Sequence, residues 1–243
     1  MEASSRRHRT PPAGAPRIWA GGRRRQWFYI GILLALLTAA VTAVTAQYRD
    51  RQTWEERDQW TRPAGVLDAL GVKAGSAVAD VGAGEGYFTV KLAERVGDGG
   101  KVYAVDIDAT AVADLRKLAL SRQLKQVEVV EGAGDDPHLP AGLLDAILVV
   151  NAYHEFRQHD AMLRAFLRAL KPGGRLGIID KAAERAAGQS RESYERQHRL
   201  PEEFAREDLE RDGFAAIHDE PALEPTGSRA GERWWFAVAT KPR

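Results

Sequence analysis

Hydrophobic residues beyond position 76 alternate between short apolar runs and longer helical stripes. Five runs have the length and composition typical of buried strands: residues 77–81, 101–105, 127–131, 144–150 and 175–180. Between these runs, apolar residues recur every three or four positions, which predicts helices with one buried face. Strands that alternate with helices in this way predict an α/β fold with a doubly wound, mostly parallel sheet and right-handed crossovers.

The C-terminal part of the chain adds one helix and two strands to this pattern. We expect a helix that has Pro201 in its first turn and ends at Gly213. Two further strands follow, at residues 214–218 and 234–240, so the predicted sheet has seven strands. The stretch 182–199, before that helix, contains almost no large apolar residue besides Tyr194. It therefore predicts a solvated helix or a mobile lid.

The N-terminal region has a different pattern. Residues 1–25 are rich in Arg, Pro and Gly, which predicts a disordered basic arm. No charged residue lies in 26–48, and its apolar stretch is about the ~20 residues that span a bilayer core. We therefore predict one transmembrane helix, or uncleaved signal anchor, at 26–48. A juxtamembrane linker or helix at 49–62 would connect it to a single domain at 63–243.

A cleaved secretory signal is the alternative interpretation of the apolar segment. Arg23–Arg25 would form its basic region, Ile30–Ala43 its apolar region, and cleavage would fall before Gln47. The segment is long for such a signal, which favours the membrane helix.

Charge and composition exclude several functions. The first 25 residues carry seven Arg and one Glu, whereas the remainder of the chain has 28 basic and 33 acidic residues. A mildly acidic body argues against a nucleic-acid partner, because phosphate binding requires a basic face. Cysteine is absent, so disulfides, thiolate metal sites and a cysteine nucleophile are excluded.

A glycine-rich turn joins the first predicted strand to the first helix of the domain. Gly82, Gly84 and Gly86 would let a ligand approach the backbone closely, as in a nucleotide pocket. Tyr87 stands where the dinucleotide fingerprint requires its third glycine, which argues against NAD. Asp106, about 20 residues further on, suits the hydroxyls of a ribose in either kind of cofactor.

The stretch from Asp80 to Gly86 resembles motif I of the class I S-adenosylmethionine (SAM)-dependent methyltransferases. Further stretches in the same order are similar to a bacterial branch of that family: Arg57-Asp58-x-Trp60, Gly86–Thr89, Val102–Asp106, Tyr153–Phe156 and Leu170–Gly174. The resemblance implies SAM as cofactor and a Rossmann-like sheet that ends in a C-terminal antiparallel hairpin.

The resemblance assigns roles around the glycine-rich turn. Gly82, Gly84 and Gly86 would wrap the amino-acid end of SAM. Asp80 would order the loop or meet the ammonium group of SAM; the alternative is a purely structural turn carboxylate.

The resemblance also assigns the nucleoside end of the cofactor. Asp106 would accept hydrogen bonds from both ribose hydroxyls, since a carboxylate offers two acceptor oxygens. Ile107 would pack on the adenine, and Asp135 would meet its amino group, with Asp136 as an adjacent rival.

The segment after the fourth strand is where the family places the methyl acceptor. Asn151 is expected on the cofactor side, and His154 and Tyr153 are the predicted catalytic residues. A base is needed only if the acceptor must lose a proton, and histidine suits that work. Alternatively, His154 caps the next helix or bonds within its loop. His198 is a further candidate contact. No metal is expected, because one His followed by one Glu does not make a site.

The sequence thus predicts a membrane-anchored SAM-dependent methyltransferase. Its acceptor stays open among a small molecule, a quinone-like lipid and a protein side chain. The alternatives are a membrane-tethered SAM-binding module without turnover and an NAD-type oxidoreductase. The expected location is the bacterial inner membrane, with a single pass. Arg23–Arg25 would hold the N-terminus in the cytoplasm and so place the domain outside, away from cytosolic SAM. The side of the membrane therefore stays open.

Overall fold

The computed structural model describes Tyr29 and residues 54–221 and 231–243. The chain divides into two units, Met1–Gln52 and Thr53–Arg243, and the fold below is that of the second. The predicted arm at 1–25 and, apart from Tyr29, the predicted membrane helix at 26–48 lie outside the described residues. Among the residues that are described, no helix has the length and apolar content needed to cross a membrane.

The described residues form one seven-stranded sheet. Its strands are β1 Ala77–Val81, β2 Lys101–Asp106, β3 Val127–Glu131, β4 Leu144–Val150, β5 Leu170–Lys181, β6 Ala215–Asp219 and β7 Trp234–Thr240. The strand order is β3-β2-β1-β4-β5-β7-β6. Strands β1 to β5 are parallel, and β7 lies antiparallel between β5 and β6. The predicted mostly parallel sheet with a C-terminal antiparallel pair is confirmed.

Helices flank this sheet on both faces. They are α1 at residues 54–61, α2 Pro63–Ala69, α3 Tyr87–Val96, α4 Ala109–Ser121, α5 His159–Ala169, α6 Arg191–Glu195 and α7 Glu202–Asp212, with a 3-10 turn at Tyr153–Glu155. Asp108 caps α4 as predicted: its side chain accepts hydrogen bonds from the backbone N–H groups of Thr110 and Ala111. Gly213 ends α7 as predicted, whereas Pro201 is the N-cap residue just before the helix and does not lie in its first turn.

Alternate residues of the central strand face two different cores. In β4, Ile147 packs in one core together with Phe166 of α5. Leu148 packs in the other core with Leu92 of α3. Both residues are almost fully buried. A parallel strand covered on both faces explains why its sequence is nearly continuous in apolar residues.

Strand β5 begins at Leu170, earlier than the predicted Arg175. Its pairing with β4 shifts register between Leu144 and Ala146, so the glycines of the preceding turn lie inside an irregular part of the strand. A Cβ added at Gly174 would lie 2.9 Å from the carbonyl oxygen of Lys171, which is too close for any other residue. The residues expected to precede the strand therefore form its bulged first part.

The polar stretch before α7 is anchored by its one large apolar residue. Tyr194 on α6 is buried, and its hydroxyl accepts a hydrogen bond from Ala186 N–H and donates one to the Glu184 carbonyl. The remaining side chains of α6 therefore have a fixed position beside the carboxyl ends of the strands.

Candidate active site

A cavity of about 420 Å³ opens where the strand order reverses, between β1 and β4. Ligands of open α/β sheets bind at this point, beyond the carboxyl ends of the strands. Six of the predicted site residues line it: Asp80, Gly82, Gly84, Asp106, Ile107 and Asn151. The volume lies within the usual range for small-molecule sites.

The glycine-rich loop is held open by backbone conformations that favour glycine. Gly82 and Gly84 have φ of 73° and 52°. A Cβ added at Gly82 would collide with the side chain of Ala152, whereas nothing lies within 4 Å of one added at Gly84. The loop can therefore receive a ligand at Gly84 without obstruction.

Gly86 has a different role from the one predicted. It does not line the cavity. It lies at the start of α3 with φ of 81°, and a Cβ there would strike Leu118 and come within 2.9 Å of Leu115. Gly86 is therefore required for packing α3 against α4, and a direct contact with the cofactor is not supported by its position.

Asp80 is a buried carboxyl group at the base of the cavity. The hydroxyl of Thr89 donates to its Oδ2 at 2.6 Å. Burial raises the pKa of Asp80 to about 6, against a smaller lowering by the Thr89 hydrogen bond and the charge of Arg57. A ligand that brings a positive charge to this carboxyl group would favour its ionised form.

Asp106 is fixed on both of its oxygens at the end of β2. Its Oδ2 accepts a hydrogen bond from Gly84 N–H at 2.8 Å, and its Oδ1 accepts one from Asp108 N–H at 3.0 Å. The carboxylate thereby joins the glycine-rich loop to the start of α4. Ile107, next to it, is 67% exposed although it is aliphatic. A flat apolar ligand group resting on Ile107 would cover this surface.

The loop after β3 meets the cavity through its backbone. Gly132, Ala133 and Gly134 line the cavity, whereas the predicted Asp135 is exposed and does not. The rival Asp136 accepts a hydrogen bond from His138 N–H at 2.8 Å and lies 3.3 Å from Arg168. Neither carboxylate lines the cavity, so the predicted adenine contact of Asp135 is not supported.

Asn151 carries an unsatisfied polar atom into the cavity. Its backbone has φ of 55°, a left-handed conformation, and its N–H donates to the Ile179 carbonyl at 2.8 Å. The side-chain Oδ1 is buried, yet it finds no hydrogen-bond partner among the described residues. A ligand donor would satisfy this oxygen, which fits the predicted cofactor-side role.

A second cavity, of about 720 Å³, adjoins the first. The two share Ile107, Glu155, Phe156 and Arg157 in their linings. His154 and His198 line only the second cavity, whose outer wall is formed by residues of α6 and the turn after it. The stretch predicted as a lid therefore closes the space beside the first cavity.

His154 is held between the sheet and the second cavity. Its Nδ1 lies 2.8 Å from Oδ1 of the fully buried Asp180, and its backbone N–H donates to Oδ2 of the same carboxylate. Its Nε2 is buried without a hydrogen-bond partner among the described residues. Burial lowers the pKa of His154, but the hydrogen bond and charge of Asp180 outweigh it, so the pKa lies above its usual value.

The comparisons with known proteins agree with this geometry. Residues 78–174 match the family described as "Methyltransferase domain". This part of the chain is similar to the class I SAM-dependent methyltransferases. A crystal structure of a SAM-dependent methyltransferase from Aquifex aeolicus superposes with a TM-score of 0.60 at 27% identity, covering 74% of this chain and 89% of that one.

Two curated relatives each match just under half of this chain. Nocamycin O-methyltransferase from Saccharothrix syringae is 35% identical over 113 residues, which are 46% of this chain and 40% of that protein. A ubiquinone/menaquinone biosynthesis C-methyltransferase from Salmonella arizonae is 31% identical over 116 residues, 47% of this chain and 46% of that protein. The chain thus spans less than half the length of either relative.

Tyr153, the second predicted catalytic residue of the methyltransferase domain, faces away from both cavities. Its buried hydroxyl donates to Asp208 Oδ2 at 2.9 Å, and its ring packs against His159. Burial, followed by the charge of Asp208, raises the pKa of Tyr153 well above its usual value. Neighbouring residues of a 3-10 turn point in different directions, so Tyr153 packs between α5 and α7 while His154 meets the cavity.

Two further residues of the site were not predicted from the sequence. Asp180 orients His154 and is the next-to-last residue of β5. It lies near the carboxyl end of its strand, as Asp106 does in β2, so the same rule of polar residues at strand ends would have found it. Arg57 lines the first cavity, with its guanidinium 4.0 Å above the Tyr87 ring. Its helix lies outside the sheet, and only the packing of α1 brings it there.

Proposed function

We propose that the protein transfers the methyl group of SAM to an acceptor bound in the second cavity. The observation that carries this proposal is the placement of Asp106. Its carboxylate is anchored to the glycine-rich loop and borders a cavity that continues into a second one. A cofactor held by Asp106 would therefore have its reactive part near the junction of the two spaces.

The residues of the first cavity match the chemical groups of SAM. Asp80 would receive the ammonium group, Asp106 the ribose hydroxyls and Ile107 one face of the adenine. The unsatisfied Oδ1 of Asn151 would accept a hydrogen bond from the amino-acid part. Arg57 would meet the carboxylate.

In methyl transfer from SAM, the main contribution of the protein is to position the acceptor. SAM supplies a methyl group on a sulfonium that is already activated, so the acceptor atom must only lie in line with the sulfur–methyl bond. Holding two reactants in that alignment accounts for a large part of catalysis in such reactions. Phe156 and Ile107, at the junction of the cavities, would exclude water there, and His154 would contact the acceptor from the opposite side.

We infer that the acceptor is a small molecule. The second cavity has a volume of about 720 Å³, which suits a small ligand rather than an extended protein surface. It carries both acidic and basic side chains, among them Glu192, Glu195 and Arg196. The relatives named above, an O-methyltransferase of nocamycin and a C-methyltransferase of quinone biosynthesis, support a small molecule as well.

Methyl transfer can be tested with labelled SAM. The protein, with methyl-labelled SAM, is incubated with pools of phenols, quinols and amines, and both the labelled product and S-adenosylhomocysteine are measured. The expected result is S-adenosylhomocysteine formed in step with a product that has gained one methyl group. If SAM binds but neither product forms with a bacterial lipid and metabolite extract, the chain would be a SAM-binding module without turnover.

We also propose that an N-terminal helix at 26–48 anchors the enzyme in the bacterial inner membrane. The support is the sequence: this stretch has no charged residue and is long enough to span a bilayer core. Cells expressing the chain would be fractionated, and intact spheroplasts treated with protease. Recovery in the membrane fraction after an alkaline wash is expected, and protease sensitivity reports the side. A soluble chain with an N-terminus at Gln47 would instead indicate a cleaved signal.

A further inference from the structure

Three side chains in the second cavity converge on one point. They are His154, Glu155 and His198, whose potential ligand atoms all lie within 4.8 Å of one another. His154 Nε2 is 3.6 Å and His198 Nδ1 is 3.8 Å from Glu155 Oε1. In a tetrahedral site with bonds of about 2.1 Å, ligand atoms are about 3.4 Å apart. The two separations from Glu155 Oε1 exceed this by only a few tenths of an ångström.

His154 is oriented as metal-binding histidines are. Its Nδ1 is bonded to Asp180, which leaves Nε2 directed at the cluster. A carboxylate on the second ring nitrogen fixes the ring and increases its basicity towards a metal. Asp180 is itself fixed, because it also accepts hydrogen bonds from the backbone N–H groups of His154 and Lys181.

The free nitrogen of His154 requires a partner that the described residues do not supply. The side chain is 1% exposed, and Nε2 makes no hydrogen bond. Glu155 at 3.6 Å is too distant for one. A buried, unpaired imidazole nitrogen that points at a carboxylate and a second imidazole has the arrangement of an incomplete coordination sphere.

The side chains of Glu155 and His198 are exposed enough to move by the small distance that binding an ion requires. Glu155 and His198 are 61% and 72% exposed and lie at the opening of the cavity. His198 also has φ of 51°, a strained conformation for a residue other than glycine. This backbone turn directs the imidazole back towards His154, with the two rings 5.5 Å apart edge to face.

We propose that His154, Glu155 and His198 bind a divalent transition-metal ion, with Zn²⁺ as the leading candidate. Two imidazoles and one carboxylate suit Zn²⁺, Fe²⁺ or Co²⁺ rather than Mg²⁺ or Ca²⁺, which prefer oxygen ligands. Three protein ligands leave one position open.

The role of the ion rests on the proposed methyl transfer. An acceptor hydroxyl that occupies the open position would be held next to the junction of the two cavities and would lose its proton to water more readily. Its oxygen then takes the methyl group, the bond from sulfur to that carbon breaks, and S-adenosylhomocysteine leaves. The site thereby selects acceptors that carry a hydroxyl or enol oxygen.

The test is metal binding by the full chain, purified in detergent without a polyhistidine tag and stripped with a chelator. Co²⁺ is titrated and followed by its visible absorption, and Zn²⁺ is measured by competition with a chelating dye. We expect one tight site per chain, with the intense absorption of four-coordinate Co²⁺. Glu155→Gln and His198→Ala should each weaken binding at least ~10-fold, and Asp180→Asn by ~10- to 100-fold.

The matched control is His218→Ala. His218 on β6 is also exposed, and its Nε2 lies 3.2 Å from Glu220, just after that strand, so the two form a similar histidine–glutamate pair. This variant should bind the metal like the original chain. SAM binding should persist in His198→Ala, Asp180→Asn and His218→Ala, because none of these three residues lines the first cavity, and it reports that they are folded. Glu155 lines both cavities, so the folding of Glu155→Gln is checked by circular dichroism and thermal unfolding.

Two results would overturn the proposal: no tight Co²⁺ or Zn²⁺ site in a chain that binds SAM, or a site of equal affinity in Glu155→Gln and His198→Ala. The proposed function fails differently, through loss of methyl transfer in a chain that still binds the ion.

Discussion

The two cavities are built in different ways. The first is formed by strand ends and backbone: Asp106 is clamped by the N–H groups of Gly84 and Asp108, which lie within 22 residues of it. The second is formed by side chains that are distant in the sequence, such as His154, Glu192 and His198. The first cavity, the proposed cofactor site, therefore follows from the sheet itself, whereas the second, the proposed acceptor site, depends on the loop and helix placed over it.

The largest expected effect is on SAM binding in the first cavity. Asp106→Ala removes the carboxylate that would accept hydrogen bonds from both ribose hydroxyls, and it removes the hydrogen bond that anchors the glycine-rich loop. A hydrogen bond to a charged group contributes about 1.5–3 kcal/mol. SAM affinity measured by calorimetry should fall about 100-fold or more. Asp114→Ala, on the exposed face of α4 in an ion pair with Lys117, is the control and should bind SAM normally. Unchanged affinity in Asp106→Ala would contradict the assignment of the cofactor.

The next prediction concerns His154 in the second cavity, the proposed acceptor site. His154→Ala removes a side chain that lines only the second cavity, so SAM affinity should stay within about twofold. Turnover should fall about 100-fold, since contacts to the reacting group contribute at least that much in comparable sites. Both values come from one preparation, by calorimetry and by release of S-adenosylhomocysteine. A parallel loss of SAM binding would mean that the two sides are not separate.

Lowering the pH should weaken SAM binding through protonation of Asp80. The pKa of its carboxyl group is raised to about 6, so the group takes up a proton as the pH falls through 6. The ammonium of SAM favours the ionised form, and SAM affinity should therefore drop about 10-fold between pH 7 and pH 5. In Asp80→Asn the affinity should be weak and should no longer change in this range. An unchanged pH dependence in that variant would assign the effect to another group.

Without SAM, the ionisation of Asp80 should affect the stability of the fold, and this effect should change with pH in the direction opposite to SAM affinity. Because the folded pKa of Asp80 lies above its unfolded value, its contribution to stability is present in acid and is lost as the pH rises through about 6. Chemical unfolding of the original chain and Asp80→Asn at pH 5 and pH 7 separates this contribution from those of other groups.

The smallest effect concerns the junction of the two cavities. Ile107→Ala removes an exposed aliphatic side chain that lines both of them. Losing its apolar contact with the adenine should cost about 1 kcal/mol, or about fivefold in SAM affinity. Leu120→Ala, an exposed residue of α4 outside both cavities, is the control. Equal affinity in both variants would remove Ile107 from the adenine site.

The fold followed from patterns that are local in the sequence. The strands β3, β4 and β7 begin and end at the predicted residues, because apolar runs with polar borders define them. The start of β5 was wrong, since a bulge that depends on pairing with β4 cannot be read from Gly173 and Gly174 alone.

The site residues that lie at or just after the carboxyl ends of strands could be predicted from the sequence. Asp106, Ile107 and Asn151 lie where that rule placed them. The rule did not distinguish His154 from Tyr153, because the direction of each side chain depends on a 3-10 turn. It also gave no reason to join His198 to a residue 43 positions earlier, Glu155, since that contact arises only when α6 packs over the sheet.

The most direct test of the account is calorimetric binding of SAM, S-adenosylhomocysteine and NAD to the full chain in detergent. The account predicts micromolar binding of the first two and no detectable binding of NAD, because Tyr87 replaces the glycine that a dinucleotide requires. A folded chain that binds neither SAM nor S-adenosylhomocysteine, or that binds NAD as tightly, would contradict it.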